Sequence, residues 1–205
     1  MLLKFLFVFS IMGVCWSQNC PPVSTQSPFN MTEYVRAPWY VQMQMPIKYL
    51  PLDSFYCVRA TYTQTGNYSI SVNNYACNGG INIDPYQVFI CAIIPDHNDP
   101  SKLAVGPCNI PHFLFGPYWV VAAGPSLDNY QWALVSGGQP TIETPYGCKT
   151  GVGENGSGLW VLSRTPVAPE DQVDQVLTIA KQAGFDITVL LPVTQEGCTY
   201  PPAPQ

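Results

Sequence analysis

The sequence predicts a mainly β fold: an eight-stranded antiparallel up-and-down barrel with a C-terminal α-helix packed outside it. Three observations predict it. Eight short segments rich in β-formers follow one another at turn-length spacing; the last of them is apolar on both faces; and a single amphipathic helix follows that last strand. In Leu159-Trp160-Val161-Leu162-Ser163-Arg164-Thr165-Pro166, alternation puts Trp160, Leu162 and Arg164 on one face and Leu159, Val161 and Ser163 on the other. A strand apolar on both faces needs cover outside as well as inside. A guanidinium on a tryptophan's face needs an aromatic ring or carbonyls to receive it, and Trp39 is the ring expected to stack on Arg164.

In chain order, residues 1–17 read as a secretory signal peptide, with Lys4 followed by an apolar run from Phe5 to Val14 that is too short to span a bilayer. The expected strands are Tyr40 to Met45, Phe55 to Thr63, Ser69 to Tyr75, Gln87 to Ile93, Lys102 to Val105, Tyr118 to Ala123, Gln131 to Ser136 and the Trp160 strand, with turns at Gly66-Asn67 and Asn78-Gly79-Gly80. Eight strands in sequence can close on themselves, abolish edges and enclose one small ligand. An immunoglobulin-like sandwich is the alternative, but it has no place for the late helix. That helix is expected from about Pro169 to Ala183. Pro169 suits its first turn, Glu170 and Asp171 its positive end, Lys181 its last turn and Gly184 its terminator, while Val173, Val176, Leu177 and Ala180 form a narrow apolar stripe. The reading makes 18–198 one barrel domain and 199–205 a Pro-rich flexible tail.

Hydrophobic residues are 47% and charged residues 10% of the 205, which suits one domain with a sizeable interior. The net charge of −5, with no basic aromatic-studded face, argues against nucleic acid. Export makes the cysteines disulfide partners first, and Cys20, Cys57, Cys77, Cys91, Cys108, Cys148 and Cys198 follow the signal, an odd number that leaves one thiol over. Without C-x-x-C pairs, and with only His97 and His112, no metal or other cofactor is expected. Sequons at Asn30, Asn67 and Asn155 would be surface glycosylation sites.

Ala37-Pro38-Trp39-Tyr40 on the first strand, Asp128-Asn129-Tyr130-Gln131-Trp132-Ala133-Leu134-Val135 after Tyr118-Trp119-Val120, then the Trp160 strand and the helix ending Ala183-Gly184-Phe185-Asp186 together resemble the lipocalin family. The resemblance covers Cys20 to Cys198 and is strongest to the branch of apolipoprotein D and the bacterial lipocalins. It implies a barrel closed at one end, where Arg164 covers Trp39, and disulfides joining Cys57 to Cys198 and Cys20 to Cys148. The chain departs from the family in having Ala37 where glycine is preferred, with Pro38 beside it, and in Gly124-Pro125-Ser126, which looks inserted and would lengthen a loop. Of the remaining cysteines, Cys77 and Cys108 lie toward one end of a meander and are the favoured pair, leaving Cys91 free.

If Trp160 and Leu162 point inward with Arg164, parity brings Val41 and Met43 from the first strand and Val58, Ala60 and Tyr62 from the second into the interior. Similarity to apolipoprotein D adds Asn74 and places Tyr62, Asn74 and Trp160 at the ligand. Such a lining suits a steroid, retinoid, fatty acid or tetrapyrrole. The expected function is therefore a secreted, extracellular carrier of one small hydrophobic ligand, not an enzyme. It would have no nucleic-acid partner and no transmembrane segment, and it is compatible with peripheral lipid or lipoprotein association. The alternative is a lipocalin-type enzyme, an isomerase using a cavity thiol or a relative of the xanthophyll de-epoxidases. The apolar surroundings of Cys91 weigh against a thiolate there, His97 and His112 fall in loops, and no Ser-His-Asp spacing appears.

Overall fold

The computed structural model describes residues 20–202; the expected signal peptide lies outside them. Eight strands form the wall: β1 (Trp39–Gln44), β2 (Tyr56–Gln64), β3 (Ser69–Cys77), β4 (Pro85–Ile93), β5 (Lys102–Gly106), β6 (Gly116–Ser126), β7 (Asn129–Ser136) and, after a small hairpin of β8 (Ile142–Thr144) and β9 (Gly147–Lys149), β10 (Leu159–Ser163). Neighbours in the chain are neighbours in the sheet, all antiparallel, and β1 pairs with both β2 and β10, so the sheet closes on itself.

The two apolar faces of β10 meet two different cores. Leu162 joins Trp39, Val41, Ala60, Val72, Val120 and Val135 inside the barrel. Leu159 and Val161 join Trp132 and Leu134 on the outside, beneath helix α2 (Glu170–Gln182), whose Val176 and Ala180 are fully buried against them. The helix starts after Pro169 and ends at Gly184, whose φ of +87° is the left-handed turn that glycine takes without strain.

One expectation about the wall is corrected. Gly124-Pro125-Ser126 does not lengthen a loop: it extends β6, with Gly124 opposite Trp132, Pro125 opposite Tyr130 and Ser126 opposite Asn129, and an irregularity in register absorbs the extra length. A Cβ on Gly124 would overlap the Trp132 ring, so the glycine is required there. Just beyond 198, two residues touch the barrel wall and its loops. Thr199 donates its backbone N–H to Asn82 Oδ1, and the Tyr200 ring packs edge-on against Tyr40 at 5.0 Å.

Among the described residues three disulfides are present: Cys20–Cys148, Cys57–Cys198 and Cys91–Cys108. The third corrects the expected Cys77–Cys108 pair. Cys91 lies opposite Gly106, so the chain leaving β5 carries Cys108 back to it, whereas Cys77 lies opposite Pro85 at the far end of β4. Among the described residues Cys77 is the free cysteine, fully buried beside Tyr75 on the outer face, and Cys91 is not free.

Candidate functional site: the barrel interior

One end of the barrel is shut. A short helix, α1 (Met31–Val35), begins at Asn30, whose side chain accepts from the Glu33 N–H. It brings Tyr34 and the Glu33 carboxylate under the barrel. The Arg36 guanidinium hydrogen-bonds Glu33 at 2.9 Å and holds its carboxyl below the usual range. Arg164 fills the remaining space: its guanidinium lies 3.5 Å from the centre of the Trp39 ring and donates to the carbonyls of Tyr130, Ala37, Pro38, Glu33 and Tyr34. Burial pulls its pKa down to about 10, which leaves it protonated at neutral pH. Trp39 itself is fully buried and donates its indole N–H to the Tyr34 carbonyl at 2.9 Å. The expected stack of Trp39 and Arg164 is therefore a plug in which each guanidinium nitrogen donates to a carbonyl and one face of the cation lies on the indole.

Above the plug the interior is aromatic. The hydroxyls of Tyr34, Tyr118 and Tyr62 form a chain, Tyr34 to Tyr118 at 2.8 Å and Tyr62 to Tyr118 at 2.7 Å, and Tyr118 stacks toward Trp160 with ring centres 6.5 Å apart. Burial raises all three phenols, Tyr62 to about 12, so they stay neutral and none can act as a base near pH 7. Trp160, Tyr118, Tyr86, Ile90 and Val105 are only partly buried although they pack on the inner core.

The register places Val41, Val58, Ala60, Tyr62, Trp160 and Leu162 on the inner face, and Asn74, opposite Ala60, beside them. Met43 is the exception. The pairing of β1 with β10 slips between Val41 and Met43, where Gln42 is held outside by bonds to Pro166 O and Ala168 N. One extra residue in a strand reverses the parity beyond it. Met43 therefore packs with the outer core under α2, and Gln44, opposite Trp160, takes the inward place.

No family model matches the chain. Against curated proteins, it is 30% identical to temperature-induced lipocalin-1 of Arabidopsis thaliana over 161 residues, covering 74% of this chain and 72% of the relative. The chain belongs to the lipocalin family. Mouse apolipoprotein D is 25% identical over 183 residues, covering 88% and 84%. Among solved structures, lobster apocrustacyanin A1 superposes with a TM-score of 0.60 at 15% identity, covering 87% of this chain and 91% of that one. The cockroach major allergen Per a 4 gives 0.57 at 16%, covering 87% and 96%. At these identities the structural likeness shows the fold.

This lipocalin has one wall element that strand patterns did not reveal. β1 and β2 pair only at Trp39–Ala60 and Tyr40–Arg59 and then diverge toward the open end. The C-terminal segment enters that seam: β11 (Leu191–Pro192) pairs with Gln44 and Met43, Val193 joins the inner core, and the buried Gln195 amide donates to Val41 O at 2.7 Å and Val58 O at 2.8 Å. Cys57–Cys198 pins the segment, and Tyr200 donates to the Gln195 carboxamide oxygen. The inward polar residues missed in the sequence are Tyr34, Tyr118 and Gln44. An Asn30-Met31-Thr32-Glu33 cap pattern could have located the helix that carries Tyr34, whereas the bulge that turns Gln44 inward left no signal. His97 stacks on Tyr68 with ring centres 3.6 Å apart, in the loop between β4 and β5 outside the barrel, and His112 lies in a turn at the open end against Phe115. Among the described residues no group of metal-ligating side chains converges.

Proposed function

We propose that this lipocalin is a secreted carrier that holds one small hydrophobic molecule in the upper half of its barrel and does no chemistry on it. The observation that carries the reading is the lining: partly open Trp160, Tyr118, Tyr86, Ile90 and Val105 above neutral, hydrogen-bonded phenols. An apolar and aromatic pocket with a few neutral polar groups binds by burial, and about 25 cal/mol per Å² of apolar surface supports micromolar or tighter binding after association costs. The resemblance to apolipoprotein D supports the carrier class, and the names of its relatives leave the ligand to this chain's own residues. The alternative thiol isomerase loses both its thiols, since Cys91 is bonded to Cys108 and Cys77 is buried on the outer face. No helix among the described residues is long and apolar enough to cross a membrane. Asn67 is exposed and the sequon best suited to glycosylation, whereas the Asn155 carboxamide donates to Leu114 O and that of Asn30 is engaged by Glu33 N and Asp128.

Titration with a hydrophobic probe should quench tryptophan emission saturably. Trp160 is the reporter, because among the described tryptophans Trp39 is sealed in the plug, Trp132 lies under α2 and Trp119 packs under Lys102 outside the inner core. Trp160→Phe should remove most of the signal, and Tyr62→Ala and Asn74→Ala should each weaken binding by about three- to tenfold. Quenching that survives Trp160→Phe undiminished would place the ligand elsewhere.

A further inference from the structure

Gln44 is completely buried, yet neither its Nε2 nor its Oε1 has a hydrogen-bond partner. Buried amides left unmade are uncommon because the lost hydration is not returned. Its neighbours across the sheet are Trp160 on β10 and Leu191 on β11, both apolar, so the protein offers it nothing. A second unspent donor lies deeper. Three hydroxyls joined by two hydrogen bonds leave one O–H over, at Tyr34, Tyr62 or Tyr118, and neither Tyr34 nor Tyr62 has another partner among the described residues.

The inner face has no charge to answer a charged ligand. None of the inward residues on the eight strands is ionic, and the guanidinium of Arg164, just past the end of β10, is consumed by Trp39 and five carbonyls. The loops at the open end carry Asp53, Asp84, Glu143 and Glu154 against Lys48 and Lys149, so an acid left protruding meets an excess of carboxylates. A buried carboxylate without a cation or a set of donors is strongly disfavoured.

We propose that Gln44 is the polar anchor of the ligand site, and that the molecule it receives is a neutral apolar one bearing a hydroxyl group, not a fatty acid, retinoic acid or propionate-bearing tetrapyrrole. A hydroxyl donates to Oε1 and accepts from Nε2, satisfying both orphaned atoms at once; the leftover phenolic O–H serves an acceptor farther along the molecule. This rests on the carrier reading and narrows its ligand class.

The test compares retinol, retinyl methyl ether and retinoic acid at neutral pH on the full chain, with hexadecan-1-ol and hexadecanoic acid repeating the contrast on an unrelated skeleton. The alcohols should bind at least about tenfold more tightly than the acids, and retinol more tightly than its ether, which cannot donate. Gln44→Met, of similar volume, should cost the alcohol about tenfold and leave the ether nearly unchanged, while raising the Tm of the unliganded protein by about 2–6 °C because it removes an unsatisfied amide. Gln44→Leu provides a second variant, and the comparison of probes on the unaltered protein needs none. Acids that bind as well as alcohols, or an alcohol indifferent to Gln44→Met, would overturn the anchor while leaving the carrier standing. Failure of every probe on both skeletons would overturn carrier and anchor together.

Discussion

Arg164→Ala should destabilise the protein by about 3–5 kcal/mol, at the upper end for a single substitution. The guanidinium is the lid on Trp39 and the shared donor to carbonyls from α1, the first-strand approach and Tyr130. Its removal leaves buried acceptors without donors, opens a cavity against a fully buried indole and releases α1 from the end of the barrel. For a domain of this size the Tm should fall by roughly 10 °C or more. Arg164→Lys should recover little of the loss, since an ammonium cannot stack flat on the ring and reach several carbonyls at once. Relative affinities among ligands should change little, because the plug lies below the aromatic lining. A parent-like melt would mean that the plug contributes nothing.

Loss of the Cys57–Cys198 bond should have an effect of similar size by another route. The bond spans 141 residues, and the loop-entropy relation assigns such a closure about 5 kcal/mol. Cys198→Ser should also free the segment that fills the seam between β1 and β2, because Gln195 and Val193 sit close before the cysteine. Limited proteolysis should then clip the chain after Phe185, and ligand affinity should fall because the inner face loses Val193. Cys108→Ser, which opens a loop with a separation of 17, should cost less, about 3 kcal/mol in the same relation, and leave the seam intact. Equal sensitivity of the tail in both variants would show that the disulfide does not hold the seam.

The barrel was legible because strand alternation and helix periodicity are local, and β10 with α2 carried both signals in one stretch. The Trp39 and Arg164 stack was legible for a chemical reason, since a cation on an apolar face demands an acceptor. What failed was parity across an irregularity. The slip at Gln42 is made by contacts to Pro166 and Ala168, more than a hundred residues away, so Met43 and Gln44 exchanged places without a trace in the first strand. The third disulfide failed similarly. Cysteine spacing does not state which strand ends lie side by side, and the β4–β5 register decides it. The seam-filling tail has no strand pattern because its ladder to the barrel is only two residues long and is backed by the Gln195 side chain, Tyr200 and a disulfide.

Native mass spectrometry of the protein purified from its source tests the central claim most directly. The account predicts one small molecule per chain, released unchanged by organic extraction, neutral and hydroxylated. A chain that arrives empty and takes up no member of the alcohol panel, or one that returns the molecule chemically altered, would contradict it.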